Sequence, residues 1–283
     1  MKQQRTLVLC SCALIFLLLF SHPLAVTAQE VEDEREFDYI EGSEKGPAQW
    51  GDIKREWADC RTGRLQSPID MSDRRVKMVQ KTENIKRNYR PFNATLKNRG
   101  HDIMVQWEGR DKAGSIQING TRYFLQQCHW HSPSEHTING RRSIISKYDM
   151  ELHMLHTTPE QKIAVIGYLY KIGKPDAFLS KLLNDIMSMT DQILKRNIGI
   201  VDPREIKFGG KKYYRYMGSL TTPPCKQGVI WTINKKIRTI SKDQVRALRV
   251  AVHDHAEKNA RPLQPLNQRE IHFHGHSPKD TYN

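Results

Sequence analysis

Tyr123-Phe124-Leu125-Gln126-Gln127-Cys128-His129-Trp130-His131 is the stretch on which the fold turns. Successive side chains of a β-strand point to opposite faces, so residues i and i+2 share one. Read as a strand, it sets Gln127, His129 and His131 side by side and turns Cys128 and Trp130 to the reverse. A second stretch, Tyr148 to His156, places Glu151, His153 and Leu155 on one face and His156 on the other. Outward from these, Ala94 to Leu96, His101 to Trp107, Ser115 to Ile118, Ile163 to Tyr170 and Val229 to Ile233 read as further strands. Asn98-Arg99-Gly100, Asn119-Gly120 and Asn139-Gly140 supply turns. Two segments have helical spacing. Asp176 to Met189 aligns Phe178, Leu182, Leu183, Ile186 and Met187. Ser241 to Lys258 opens on a capping-box pattern, Ser241 with Gln244, and continues through Val245, Leu248 and Val252. No internal repeat or linker divides the chain. The expected fold is mainly β with surface helices (α+β), a single domain on a large, mostly antiparallel central sheet.

The 283 residues suffice for one large domain or two modest ones. Lys2 and Arg5 precede an apolar run from Leu7 to Phe20, and Val26-Thr27-Ala28 offers small residues for cleavage. That run is short for a bilayer and fits a signal peptide over residues 1–28, an uncleaved anchor being the lesser reading. No later stretch is long and apolar enough for stable membrane insertion. Residues 29–45 read as an acidic, loose N-terminal arm, 46–270 as the domain and 271–283 as a polar C-terminal tail. His272, His274 and His276 alternate in that tail and read as an edge or disordered segment, not a second metal site. Cleavage would remove Cys10 and Cys12 and leave Cys60, Cys128 and Cys225. An odd count in an oxidising compartment predicts one disulfide and one free thiol. Cys60 with Cys225 is the expected pair, and Cys128, inside the candidate metal strand, is expected to be buried. The sequons at Asn93 and Asn119 agree with a secretory address.

Lys and Arg number 45 against 31 Asp and Glu, a formal net charge of +14. Arg74, Arg75, Lys77, Lys81, Lys86, Arg87 and Arg90 form the densest basic stretch. No aromatic stacking pattern accompanies them, which argues against nucleic acid. A solvated face is the favoured reading. Acidic polysaccharide or an anionic membrane surface is the lesser one.

His129, His131 and His153 together offer three imidazoles. Three histidines with an open position define a catalytic zinc geometry, and Zn²⁺ lowers the pKa of its bound water to about 7. Gln127 and Glu151 stand beside the ligands, where a partner for the other ring nitrogen is needed. Glu135 and Thr221 are candidates to hold the water's proton away from substrate, since a hydroxyl donating to a carboxylate can only accept from the water. Leu155, Val165, Val229 and Leu220 are candidates for an apolar wall.

Gln127-x-His129-x-His131-Ser132-Pro133-Ser134-Glu135-His136, Glu151-Leu152-His153 and Ser219-Leu220-Thr221-Thr222-Pro223-Pro224-Cys225 resemble the α-type carbonic anhydrases in order and spacing. Gln66-Ser67-Pro68-Ile69-Asp70 and Asn259-Ala260-Arg261-Pro262 extend the match, which runs from about Tyr39 to Arg269. The details look most like plant members. The resemblance implies a zinc site in a central cleft, reversible hydration of CO₂ to bicarbonate, weak esterase activity, and sensitivity to anions and sulfonamides. It implies zinc ligation by His129, His131 and His153, a gatekeeper pair of Thr221 and Glu135, and substrate contact at Thr222. His101 matches the proton-shuttling histidine, a role suited to an unperturbed imidazole of pKa about 6.5. Asn259 matches a residue whose carbonyl orients the second ligand. Cys60 and Cys225 match the disulfide of secreted members. A monomer or homodimer is expected, in the apoplast or in a chloroplast reached through the ER. Cys128, Arg99 and Met104 depart from the animal enzymes, Met104 standing where a polar residue helps order proton-carrying waters. Two other readings compete. A cupin-type oxidase would use His129, His131, Glu135 and His153, but Tyr123 and Arg142 stand where its glycines belong. A catalytically weak storage or defence protein of the same family is the second.

Overall fold

Two long neighbouring strands carry the candidate ligands, and the rest of the sheet grows from them. The structure, a computed structural model, describes residues 36–79, 85–140, 148–190, 194–252 and 258–275. The expected signal peptide, most of the arm, Lys81, Arg142 and the tail from His276 lie outside the described residues. The strands are β1 (Asp70–Met71), β2 (Val76–Val79), β3 (Lys86–Tyr89), β4 (Phe92–Asn98), β5 (Ile103–Trp107), β6 (Gly114–Ile118), β7 (Thr121–His131) and β8 (Thr137–Ile138). They continue as β9 (Met150–Thr157), β10 (Ile163–Ile172), β11 (Lys195–Val201), β12 (Tyr213–Ser219), β13 (Gln227–Asn234), β14 (Arg238–Ile240) and β15 (Ile271–His274). Helices α1 (Trp50–Ile53), α2 (Asp59–Thr62), α3 (Ala177–Met187) and α4 (Lys242–Ala251) lie around them. Thirteen strands form one sheet, in the order β11-β4-β5-β7-β9-β10-β13-β12-β15-β2, with β6 joining β3 to β7 and β14 beside β10.

This sheet is mixed, which corrects the expectation of a mostly antiparallel one. β13 and β14 both run parallel to β10, and β15 runs parallel to β2. Alternation of side chains is the same in either orientation. Direction is set by the connections: β9 and β10 form a tight antiparallel pair, whereas β13 reaches β10 only after a crossover through α3, β11 and β12.

Both faces of the central strands are covered, so all eight residues of β9 are buried. On one face Cys128, Trp130, Leu152 and Met154 join a core roofed by Phe178, Leu179, Leu182 and Ile186 of α3 and Leu248 and Ala251 of α4. On the other, Leu155, Val165, Leu220, Val229 and Trp231 form a second core. α3 is capped by Asp176, whose side chain accepts from Leu179 N. Met187 turns to solvent at 58 % exposure, so it does not belong to the buried stripe. The α4 capping box forms as expected, but the helix ends at Ala251 with Val252 extended, short of Lys258. Among the described residues no helix is long and apolar enough to cross a membrane.

Both ends differ from expectation. Ile271–His274 is a strand between β12 and β2, not part of a free tail, because Ile271 and Phe273 alternate inward. Residues from 36 onward are not a loose arm. Phe37 and Tyr39 are buried against Trp50 and Trp57. The expected turns hold: Asn119 and Gly120 adopt φ of 47° and 79°, and Asn139 and Gly140 62° and 59°, the left-handed region that Asn-Gly pairs accept.

Candidate metal centre

Register brings the histidines together. β7 and β9 pair with His129 opposite His153 and His131 opposite Glu151. The rings of His129 and His131 stand 5.0 Å apart, those of His129 and His153 5.2 Å, and those of His131 and His153 4.6 Å. All three are buried, with one nitrogen from each within 4.8 Å of the others.

Two of their outward nitrogens are hydrogen-bonded and the third faces a carboxylate. His129 Nδ1 donates to Gln127 Oε1 at 2.8 Å, and His131 Nδ1 donates to the Asn259 carbonyl at 2.6 Å. His153 Nε2 lies 3.0 Å from Glu151 Oε1, which leaves Nδ1 for the centre. His131 Nε2 is buried without a hydrogen-bond partner. An unpartnered imidazole nitrogen is costly in a protein interior and is resolved by a cation. Burial also pushes His129 well below its ordinary pKa, keeping it in the neutral form that ligation requires. The residues present therefore fit a metal ion. His156 faces away as expected, with Nε2 2.7 Å from Tyr89 Oη in the opposite core.

Glu151 is the hub behind the centre. Its Oε1 accepts from His136 Nδ1 at 2.8 Å, and its Oε2 accepts from the backbone N–H of Glu135 and of His136 at 2.9 and 2.8 Å. Burial alone would raise its pKa; the charges of His136 and His153, with their hydrogen bonds, hold it well below the usual carboxylate range. His136 Nε2 continues to Tyr216 Oη at 2.6 Å, and Tyr216 to Ser67 Oγ at 2.8 Å. Trp231 packs 4.8 Å from His153 and 4.7 Å from His136. Roles for His136, Tyr216 and Trp231 escape a reading by alternation. His136 lies in a loop, and Tyr216 lies on β12, a strand the periodicity does not reveal.

Glu135 Oε1 accepts from Arg261 N at 2.9 Å. Its Oε2 is buried without a hydrogen-bond partner, 3.6 Å from His131 Nε2. Among the described residues no hydrogen bond joins Thr221 to it, although both are buried. Thr222 Oγ1 is likewise buried and unpartnered. Leu155, Val165, Leu220 and Val229 fall in one cluster, β10 bringing Val165 beside both Leu155 and Trp231.

His101 departs most from expectation. Its ring is buried, 4.9 Å from that of Phe37. Burial lowers its pKa to about 4, so it is not an unperturbed imidazole. Sequence spacing does not register this, because the aromatic cover comes from residues more than sixty positions upstream. Met104 is directly opposite His129 in the β5–β7 ladder and is buried. Beside it Arg99 Nε donates to Asp102 Oδ1 at 2.7 Å in a buried ion pair. Cys60 and Cys225 form the expected disulfide, and Cys128 is free and buried.

A large mixed sheet with three converging buried histidines defines a β-sheet protein with a histidine-lined site that could hold a metal ion. More particularly, the chain belongs to the eukaryotic-type carbonic anhydrase family, whose model matches residues 45–275. It is 51 % identical over 261 residues to alpha carbonic anhydrase 7 of Arabidopsis thaliana, covering 92 % of each chain. It is 44 % identical over 264 residues to dioscorin DB3S of Dioscorea polystachya, covering 93 % of this chain and 95 % of that one. Among solved structures, dioscorin complexed with ascorbate superposes with a TM-score of 0.81 at 42 % identity, over 86 % of this chain and 99 % of that one. The α-carbonic anhydrase of Thermovibrio ammonificans in complex with sulfanilamide gives 0.74 at 33 % identity, over 83 % and 98 %.

Proposed function

We propose that this chain is a zinc enzyme that interconverts CO₂ and bicarbonate. The observation that carries the reading is the convergence of His129, His131 and His153, with the second ring nitrogen of His129 and of His131 hydrogen-bonded to Gln127 and to Asn259 and that of His153 3.0 Å from Glu151. Zinc held there would supply the Lewis acidity that makes hydroxide accessible at neutral pH. Glu135 Oε2 is available to accept from a nearby hydroxyl. Once Thr221 donates to it, the Thr221 oxygen can only accept from the reacting water, which aims that water's lone pair at substrate. Thr222 Oγ1 has hydrogen-bonding capacity left for bicarbonate. Leu155, Val165, Leu220, Val229 and Trp231 form a wall that suits an uncharged gas and excludes water. With His101 buried, buffer rather than this imidazole takes the proton in the described conformation. The leader, the disulfide and the sequons support a secretory route, to the apoplast or through the ER to a chloroplast.

Metal content and CO₂ hydration measured on one purified sample, with and without a sulfonamide, test the reading. One zinc per chain with sulfonamide-sensitive hydration is the expected result. Zinc without hydration would overturn it in favour of a storage or defence role. Iron or manganese instead would favour an oxidase. His153→Ala abolishes hydration and most zinc binding, while Glu151→Gln weakens zinc binding roughly 10–100-fold.

A further inference from the structure

The hairpin joining β6 to β7 leans across the sheet and leaves a groove of about 290 Å³ against β12, β13 and β15. The lining includes Ile118, Tyr216, Met217 and Ile230, with Asn119 itself on the wall. Its volume is at the small end for ligand pockets. Met217 and Ile230 are directly opposed in the β12–β13 ladder and share the outward face. Met217 is 44 % exposed on that face.

The charged side chains at the rim make hydrogen bonds within the protein, Arg215 donating to Thr232 Oγ1 at 3.2 and 3.3 Å. The Arg269 guanidinium donates to the carbonyls of Leu266, Met217 and Pro265. Glu270 accepts from Lys77 and lies 3.1 Å from His272 Nε2. A groove with an apolar floor and a rim whose polar side chains are already hydrogen-bonded within the protein suits an amphipathic occupant.

The chain carries an attachment point for such an occupant. Asn119-Gly120-Thr121 is a glycosylation triplet at an exposed turn, and a side chain at Gly120 would meet nothing within 4 Å. Asn93, the other triplet, lies within β4 between two paired strands.

We propose that Asn119 carries an N-linked glycan whose first N-acetylhexosamine seats in this groove and covers Met217. The proposal rests on the secretory reading. In the transfer, the Asn119 amide nitrogen bonds to C1 of the first sugar of a lipid-diphosphate-linked oligosaccharide. The C1–O bond breaks, the lipid diphosphate leaves with the electron pair, and the amide nitrogen loses one proton. The sugar's acetamido methyl and ring face then meet Ile118, Met217 and Ile230, and its hydroxyls meet the polar rim.

The full chain, expressed in a plant secretory host, provides the test. Peptide mass mapping after enzymatic deglycosylation reports occupancy, and peroxide oxidation of Met217 reports cover. The glycan is expected on the wild type and on Thr121→Ser and absent from Thr121→Ala and Asn119→Gln. In the glycosylated protein Met217 oxidises roughly threefold more slowly than in Asn119→Gln, while exposed Met187 and Met78 are unchanged, since oxidation follows exposure. Two results overturn the proposal: an unmodified Asn119 in a chain that has lost its leader and formed the disulfide, or equal Met217 oxidation with and without the glycan. A chain retaining its leader and free thiols overturns the proposal too, and identifies the secretory reading as the part that failed.

Discussion

His156 and His101 show how environment, not residue type, sets chemistry. Each imidazole is buried, and burial lowers the pKa to about 3 for His156 and about 4 for His101. For His156, which lies outside the metal centre, the unfolded chain binds one more proton than the fold between pH 6.5 and about 3. Its contribution to stability is fully present above pH 6.5 and is lost as pH falls toward 3, at ~1.4 kcal/mol per pH unit. Urea unfolding at pH 7 and 5.5 should show a shallower pH dependence in His156→Gln than in the wild type, the difference amounting to about one bound proton. For His101 the expectation is kinetic. His101→Ala should slow CO₂ hydration in weak buffer by no more than about twofold, against the roughly 10²–10⁴-fold that a positioned proton carrier contributes. Stopped-flow assays check this, and a much larger loss would show that His101 leaves its aromatic cover during turnover. The ligand set was legible because it lies on two strands with period 2. The fate of His101 was not, because its neighbours are distant in sequence.

At the scale of elements, β7 and β9 were readable by alternation, and α3 and α4 by helical spacing and their caps. β12 and β15 were missed: Tyr213 to Ser219 is aromatic on both faces, and the histidines of Ile271 to His274 mask its apolar residues. Gln244 does more than the capping pattern implies. Its Oε1 accepts from Asp176 N at 2.8 Å and Ser241 N at 3.2 Å, and its Nε2 donates to Asp176 O and Ser180 Oγ at 2.8 and 2.9 Å. It thus fastens the start of α4 to the start of α3. Ser241→Ala should cost about 1 kcal/mol, the usual value of a helix cap. Gln244→Ala should cost more, about 2–3 kcal/mol, because it also strips partners from buried backbone groups. Urea denaturation of the two variants compares them, and equal losses would reduce Gln244 to a cap.

Across the whole molecule, the disulfide ties α2 to the segment after Thr222, closing a separation of 165 residues. Arg261 reinforces the same corner, donating to Cys60 O, Gln66 Oε1 and Ser67 O at 2.8, 2.8 and 2.9 Å, while its own N–H holds Glu135. Replacing both Cys60 and Cys225 with Ser should lower stability by up to ~4–5 kcal/mol, the loop-entropy ceiling. Calorimetry of the variant, and of the wild type with reductant, measures the loss. The sequence by itself indicated the strand faces, three candidate ligands, their neighbours Gln127 and Glu151, and that one cysteine stays free, because each follows from local periodicity or from counting. Only the tertiary structure decided the mixed direction of the sheet, the chain of contacts from Glu151 through His136 and Tyr216, and the burial of His101 beneath Phe37. These depend on which distant segments meet, and local alternation is blind to the partner across the interface.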